Sequence, residues 1–135
     1  MAAKDIVGKK FVDFDFEDIE TKKKGKLSDL VGEKPVVLDF YTTWWGGCNG
    51  AAVEMEKHAG KDGSKATFVL VCIQSTDDAI GYKTKHLLKN VTHVVAKPPA
   101  AYALKYIPHH VVIGKDGIVK MNYNEPTHDY MSLLD

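Results

Sequence analysis

The sequence lacks the features by which a membrane span, a secretion signal or a nucleic-acid-binding surface is recognised. Apolar stretches are too short to cross a bilayer, and residues 1–5 have no apolar core of the kind found in signal peptides. The 18 Lys and Arg residues balance the 18 Asp and Glu residues. Without a basic surplus there is little attraction to nucleic acid or to an anionic membrane, and we expect neither as a partner.

Cysteine is scarce, with Cys48 and Cys72 alone. So few cysteines, without a secretion signal, favour a reducing compartment over a disulfide-bonded secreted protein, and the predicted location is the cytoplasm. Internal repeats, linkers and low-complexity tracts are also missing. A length of 135 residues is typical of one compact domain with a sizeable core, so we predict a single domain over residues 1–135.

Apolar runs and turn residues predict alternating strands and helices. The run Val36–Tyr41, interrupted by Asp39, is typical of a strand buried on both faces, and residues 66–73 form a second such run. A helix is predicted over residues 47–59, ending at Gly60. A second helix begins at Ser75 or Thr76, with Ile80, Leu87 and Leu88 on its inner face.

The flanking segments complete a predicted α/β sandwich with a central mixed sheet and an N-terminal β-hairpin. Lys115-Asp116-Gly117 is a strong hairpin signal, and the lysines at 22–24 are predicted to be a solvated turn. The other predicted elements are a half-exposed strand at 11–16, a second short strand after the turn at 22–26, a helical turn capped by Ser28 and ending at Gly32, a short helix from Pro98 to Tyr106, strands at 108–113 and 117–122, and a short tail helix from Thr127 with Tyr130, Leu133 and Leu134 inward.

The most informative motif is Trp-Trp-Gly-Gly-Cys at residues 44–48, directly after the apolar run that ends at Tyr41. A redox dithiol has the form Trp-Cys-Gly-x-Cys, placed where a strand ends and a helix begins. Here the second cysteine is present as Cys48, and Trp45 stands in the place of the first. A natural loss and an introduced substitution are both open, since one base change converts a Cys codon to a Trp codon.

In this order, the segments resemble the thioredoxin-fold superfamily, in its TlpA-like, tryparedoxin-like and nucleoredoxin-like branch. Residues 26–30 and 32–40 are similar to that branch's approach to its active-site strand, Tyr106-Ile107-Pro108 to the segment with its cis-proline, and residues 112–119 to its terminal hairpin. The resemblance implies a thioredoxin-like sandwich and thiol–disulfide oxidoreductase activity on protein or peptide substrates. A reductase as electron donor is also implied, and no cofactor is expected. The tail is shorter than the family's usual final helix.

The resemblance also implies roles for individual residues. Cys48 matches the resolving cysteine, whose thiolate the start of the helix would favour, and Asp39 matches a proton acceptor beneath it. Trp45 marks the missing nucleophile, so these three are the candidate catalytic residues. The candidate substrate-binding residues are Trp44, Trp45, Gly46, Gly47, Ile107 and Pro108.

Other interpretations of these residues stay open. Cys48 could be an inert core thiol or pair with His109, and Asp39 could pair with Lys65. Cys72 is predicted to be a core thiol. No metal site is predicted, since Cys48, His58 and His109 lack a ligand spacing. A peroxidase motif Pro-x-x-x-Thr-x-x-Cys is not matched, because Tyr41 and Trp45 occupy its Pro and Thr positions.

Trp45 decides between functions. Indole cannot attack a disulfide, and exchange needs one thiolate to attack and another to resolve, so disulfide reduction should be impaired. If Trp45 is exposed, it could anchor a partner in a non-catalytic peptide- or protein-binding module; alternatively it packs over the start of the helix. A third hypothesis is a monothiol redox regulator that uses Cys48 alone.

Overall fold

Seven strands form one mixed sheet in the computed structural model, which describes residues 2–123 and 130–134. The strands are β1 (Asp15–Asp18), β2 (Lys24–Lys26), β3 (Val36–Tyr41), β4 (Thr67–Cys72), β5 (Thr92–Val95), β6 (His109–Ile113) and β7 (Val119–Tyr123). Their order across the sheet is β2-β1-β5-β4-β3-β6-β7. The neighbours β3, β4 and β5 run parallel, and the other pairings are antiparallel. The predicted α/β thioredoxin-like sandwich and its N-terminal hairpin, β1–β2, are confirmed.

The central strand β3 is buried along its whole length, as its apolar run predicts. Alternation along the strand places Val37 and Tyr41 on one face and Leu38 and Phe40 on the other. Asp39 shares the face of Val37 and Tyr41. The helices α1 (Gly47–Asp62) and α2 (Thr76–His86) cover this face, so the carboxylate of Asp39 lies beneath them.

The two helices begin close to the predicted positions for different reasons. Ser75 caps α2, since its Oγ accepts a hydrogen bond from the backbone N–H of Asp78 at 3.1 Å. The first turn of α1 has no side-chain cap; the backbone N–H of Cys48 donates to the carbonyl of Trp45 at 3.0 Å. At its other end α1 runs through Gly60 to Asp62, so the prediction that Gly60 ends the helix is wrong.

The predicted inner face of α2 is also wrong in part. Leu88 is buried, but Ile80 is 37% and Leu87 68% exposed. Leu87 lies at the C-cap with φ 55°, which turns it out of the helical pattern. The inner face is instead formed by Ala79 and Tyr82, because the Tyr82 ring packs on Tyr41 with centroids 4.6 Å apart.

Shorter elements differ from the sequence predictions where local bonds compete with the apolar pattern. The side chain of Ser28 does not cap a helix. Its backbone N–H donates a hydrogen bond to Asp13 Oδ1 at 2.9 Å, within a 3₁₀ turn at Leu27–Asp29. The first strand begins at Asp15, not at residue 11, and β5 was not predicted. Other 3₁₀ turns in the described residues are Ala3–Ile6, Ala100–Tyr102 and Met131–Leu133. The turn Ala100–Tyr102 stands where a helix from Pro98 to Tyr106 was predicted.

The C-terminal segment and the lysine turn agree in part with the sequence predictions. Tyr130 and Leu134 are buried as predicted, whereas Leu133 is 38% exposed. The start of the predicted tail helix, at Thr127, lies outside the described residues. The lysines at 22–24 are exposed at the turn into the edge strand β2, as predicted. Within residues 2–123 and 130–134, no helix has the length and apolar character needed to cross a membrane.

Candidate active site

The loop from β3 to α1 places the aromatic residues outside and the thiol inside. Trp44 is 70% exposed and Trp45 is 49% exposed, while Cys48 is completely buried. The indole of Trp45 lies against Gly47, where a Cβ would be 2.7 Å from Nε1. Trp45 therefore packs over the start of α1 and still presents about half of its surface to solvent.

Burial dominates the chemistry of Cys48. Loss of solvent raises the pKa of this thiol to about 11, and the negative charge of Asp39 raises it further, against a lowering by the Thr42 backbone hydrogen bond. The prediction that the start of the helix favours the thiolate is therefore wrong in direction. Loss of hydration, which disfavours the charged form, is the largest influence on this thiol.

Asp39 lies opposite His110 in the register of β3 and β6. Its Oδ2 is 3.5 Å from His110 Nε2, and both side chains are almost completely buried. The alternative partner proposed from the sequence, Lys65, forms an ion pair with Asp62 at 3.8 Å instead. The contact with His110 gives the buried carboxylate a cationic partner whenever the imidazole is protonated.

The two neighbouring histidines of β6 point to opposite faces of the sheet. His109 Nε2 is 2.6 Å from Asn122 Oδ1 and its ring lies 6.2 Å from that of Phe40, in the core away from α1. The interpretation that His109 pairs with Cys48 is therefore wrong, and His110 is the functional candidate that sequence reasoning missed. The signal was available, since a strand buried on both faces presents alternate residues to the active-site face.

The segment before β6 lies beside the loop. The peptide bond between Ile107 and Pro108 is cis, Pro108 is buried, and Ile107 packs against the core cluster that contains Cys48. Tyr106, just before them, is 71% exposed. The predicted substrate-binding residues thus include exposed aromatic and glycine positions on the loop and a more buried pair, Ile107 and Pro108.

A second polar group is buried on the same face. The Tyr41 hydroxyl is hydrogen-bonded to His93 Nε2, and burial lowers the pKa of His93 to about 4, so its imidazole is neutral near pH 7. Tyr82 donates to Asn49 Oδ1 at 2.8 Å and joins α2 to α1. Cys72 is buried, and burial raises its pKa, in agreement with the predicted core thiol.

The described residues contain no group of three or more His, Cys, Asp or Glu side chains able to hold a metal ion. His58 lies 3.2 Å from Glu54 on α1, and His109 lies in the core beneath the other face of the sheet. The set of Cys48, His58 and His109 is therefore not brought together.

Comparison with known proteins fits this geometry. The model of the AhpC/TSA family matches residues 7–122. The chain belongs to the AhpC/TSA family. The match spans the sheet from before β1 into β7 and includes both Asp39 and Cys48. No curated protein sequence matches the chain.

Solved structures place this AhpC/TSA-family chain in the thioredoxin-fold superfamily. It is similar to a Bacteroides vulgatus protein described as a thiol-disulfide oxidoreductase, with 25% identity, TM-score 0.82 and coverage of 98% of this chain and 96% of that one. It is similar to a Chlorobium tepidum protein described as thiol:disulfide interchange protein DsbE, with 27% identity, TM-score 0.71 and coverage of 87% and 84%. A secreted Mycobacterium tuberculosis disulfide oxidoreductase shares the fold at 24% identity, TM-score 0.69 and 84% coverage of each chain.

The burial of Cys48 predicts discrimination by reagent size. Methyl methanethiosulfonate should modify Cys48 at least about tenfold faster than a bulky nitroxide methanethiosulfonate, because Trp45 and the loop cover the thiol. Peptide mapping by mass spectrometry separates Cys48 from Cys72. Equal rates with both reagents would show an open thiol and would favour the monothiol regulator.

Replacement of Asp39 should make Cys48 more reactive. Because the pKa of Cys48 is about 11, its modification rate should rise about tenfold per pH unit between about pH 8 and pH 10. Asp39→Asn removes a charge that raises this pKa, so the rate at a given pH should increase. Asp62→Asn, at the far end of α1, is the matched control and should leave it unchanged. An unaltered rate in Asp39→Asn would remove Asp39 from the site.

Proposed function

We propose that this chain is a thiol–disulfide oxidoreductase-type protein with an incomplete dithiol, in which Cys48 is retained and disulfide reduction is impaired. The observation that carries the proposal is the contrast between two positions of one loop. The buried Cys48 has the place of a resolving thiol, and the accessible position three residues earlier is Trp45.

The chemistry of exchange supports the impairment. Disulfide exchange requires an accessible thiolate to attack and a second thiol to resolve the mixed disulfide. Cys48 has no exposed surface and a pKa of about 11, so it is a poor first attacker. Trp45 has the accessibility but no nucleophilic atom. Accessibility and a thiol are thus found at different residues, Trp45 and Cys48, and neither residue alone meets both requirements.

The proposed substrates are disulfide-containing proteins or peptides, with a reductase as electron donor. The names of the similar Bacteroides vulgatus and Chlorobium tepidum proteins, thiol-disulfide oxidoreductase and thiol:disulfide interchange protein, support this substrate class. A cytoplasmic location stays a prediction from cysteine usage. No cofactor is needed for thiol–disulfide exchange.

The unmodified chain should show no turnover in an insulin disulfide-reduction assay, because the attacking thiol is absent. The measurement is insulin precipitation with dithiothreitol as the electron source, compared with dithiothreitol alone. Cys48→Ser is the control and should give the same background rate. Turnover by the unmodified chain that disappears in Cys48→Ser would show that Cys48 works alone, and would contradict the proposal.

A second candidate function, a peptide- or protein-binding module, is favoured by a specific observation. Trp44, Trp45 and Tyr106 are large aromatic side chains with 70%, 49% and 71% of their surface exposed. Large aromatic residues often supply most of the binding energy at protein interfaces. In this case the surface formed by the candidate substrate-binding residues would bind a partner without exchanging disulfides.

A further inference from the structure

A buried carboxylate–imidazole pair lies beneath the thiol on the active-site face. Asp39 and His110 face each other across β3 and β6, with relative exposures of 0% and 1%. Asp39 Oδ2 and His110 Nε2 are 3.5 Å apart. Within residues 2–123 and 130–134, Asp39 Oδ1 and Oδ2 and His110 Nδ1 and Nε2 have no hydrogen-bond partner, so this approach is an ion-pair contact and not a formed hydrogen bond. Two ionisable groups this close and this enclosed interact strongly, because little solvent screens the charges between them.

We propose that His110 is a positioning residue that shares a proton with Asp39, so that the pair together accepts the proton of Cys48 when its thiolate forms. This inference rests on the proposed function, since it concerns how Cys48 would act as a resolving thiol. His110 does not contact the sulfur in this scheme; it acts through Asp39.

The proton step is balanced within the three residues. The S–H bond of Cys48 breaks and leaves its electron pair on sulfur, while an O–H bond forms on Asp39. The neutral imidazole of His110 then accepts the new O–H of Asp39, so that the transferred proton is held between the two side chains. No electron passes between the residues, and the disulfide of a substrate is the oxidant in the separate exchange step.

The other titratable groups facing Asp39 do not supply the same function. Tyr41 lies two residues along on the same strand, and Tyr82 faces it from α2. Burial raises the pKa of both hydroxyls well above the ordinary value, with further increases from neighbouring charges that include Asp39. Both tyrosines therefore stay neutral near pH 7, and neither can accept the proton of Cys48.

The groups facing His110 come from three directions. The ring of Tyr130, in the C-terminal segment, packs at a tilt against the His110 ring with centroids 5.2 Å apart. His58 of α1 lies beyond it, 5.7 Å from the Tyr130 ring. Tyr123 is the cross-strand neighbour on β7. His58 has its own acidic partner, Glu54, at 3.2 Å. The carboxylate of Asp39 is thus the charged group at ion-pair distance from His110.

The decisive readout is the pH profile of Cys48 modification by methyl methanethiosulfonate. Deprotonation of the pair adds a negative charge near the thiol and should appear as a segment of reduced slope in this profile. In His110→Gln this segment should move by at least about one pH unit or disappear. His109→Gln, on the opposite face of the same strand, is the matched control and should keep it in place. An unmoved segment in His110→Gln would overturn the proposal.

A second measurement uses the unmodified chain and avoids a core substitution. Nuclear magnetic resonance should show the Asp39 carboxyl carbon and the His110 ring nitrogens changing at the same inflection pH, since they share a proton. Inflections at separate pH values, with neither group reporting the other, would overturn the pairing. Neither readout uses enzymatic turnover. Inactivity of a repaired dithiol would contradict the proposed function alone, whereas an unmoved profile would contradict the role of His110 alone.

Discussion

Trp45→Cys is expected to convert the chain from background activity to catalytic disulfide reduction, an increase on the order of 10³-fold or more, because it supplies the missing nucleophile. The supporting geometry is already present. Residue 45 is accessible, Cys48 lies buried in the first turn of α1, and Asp39 acts electrostatically on its thiol. The measurement is the rate of insulin precipitation, compared with that of the unmodified chain.

Two further variants make this test specific. Trp44→Cys places a thiol on the same exposed loop one residue earlier and should remain at background, because its spacing to Cys48 is wrong. Trp45→Cys combined with Cys48→Ser should lose turnover and retain a mixed disulfide with the substrate, since the resolving thiol is absent. If Trp45→Cys stays inactive while folded, the rest of the site is not competent, and the proposal that only the attacking thiol is missing fails.

Trp45→Ala is expected to weaken partner binding by at least about thirtyfold, the effect of truncating an aromatic residue that contributes ~2 kcal/mol or more. Trp45 is 49% exposed, so its removal should leave the fold intact. The measurement is the affinity for a partner isolated from cell extract with the unmodified chain.

Leu87→Ala is the matched control for this binding test. Leu87 is 68% exposed at the end of α2, so its truncation removes a comparable apolar surface away from the loop. Circular dichroism would verify that both variants are folded. Equal binding by the unmodified chain and by Trp45→Ala would show that the tryptophan is not an anchor, and the binding-module hypothesis would lose its main support.

The sequence predicted the parts of the fold that depend on strong local patterns. The run Val36–Tyr41 is a buried strand within the bounds that its apolar residues indicate, and Ser75 caps α2 because its side chain satisfies a free amide of the first turn. The hairpin around Gly117 forms because glycine adopts its φ of +82° without strain. In each case the signal lies within the element itself, in residues that are close together in the sequence.

The remaining parts depended on contacts between distant segments. β5 is four residues long and is held between β1 and β4, so its own pattern was too short to reveal it. The inner face of α2 follows from the contact between the rings of Tyr82 and Tyr41, which helical spacing does not indicate. The Asp39–His110 contact depends on the register between β3 and β6, and the rise in the pKa of Cys48 depends on how completely the fold encloses it.

The close approach of Gly47 to the Trp45 indole makes the two positions epistatic. A Cβ at residue 47 would lie 2.7 Å from Nε1 of the ring, so an alanine or a larger residue there would displace the tryptophan from the start of α1. A small side chain at residue 45 removes this restriction. A substitution at residue 47 is therefore coupled to the side chain at residue 45: while the tryptophan is present its indole has to shift, and with a small side chain there no shift is needed.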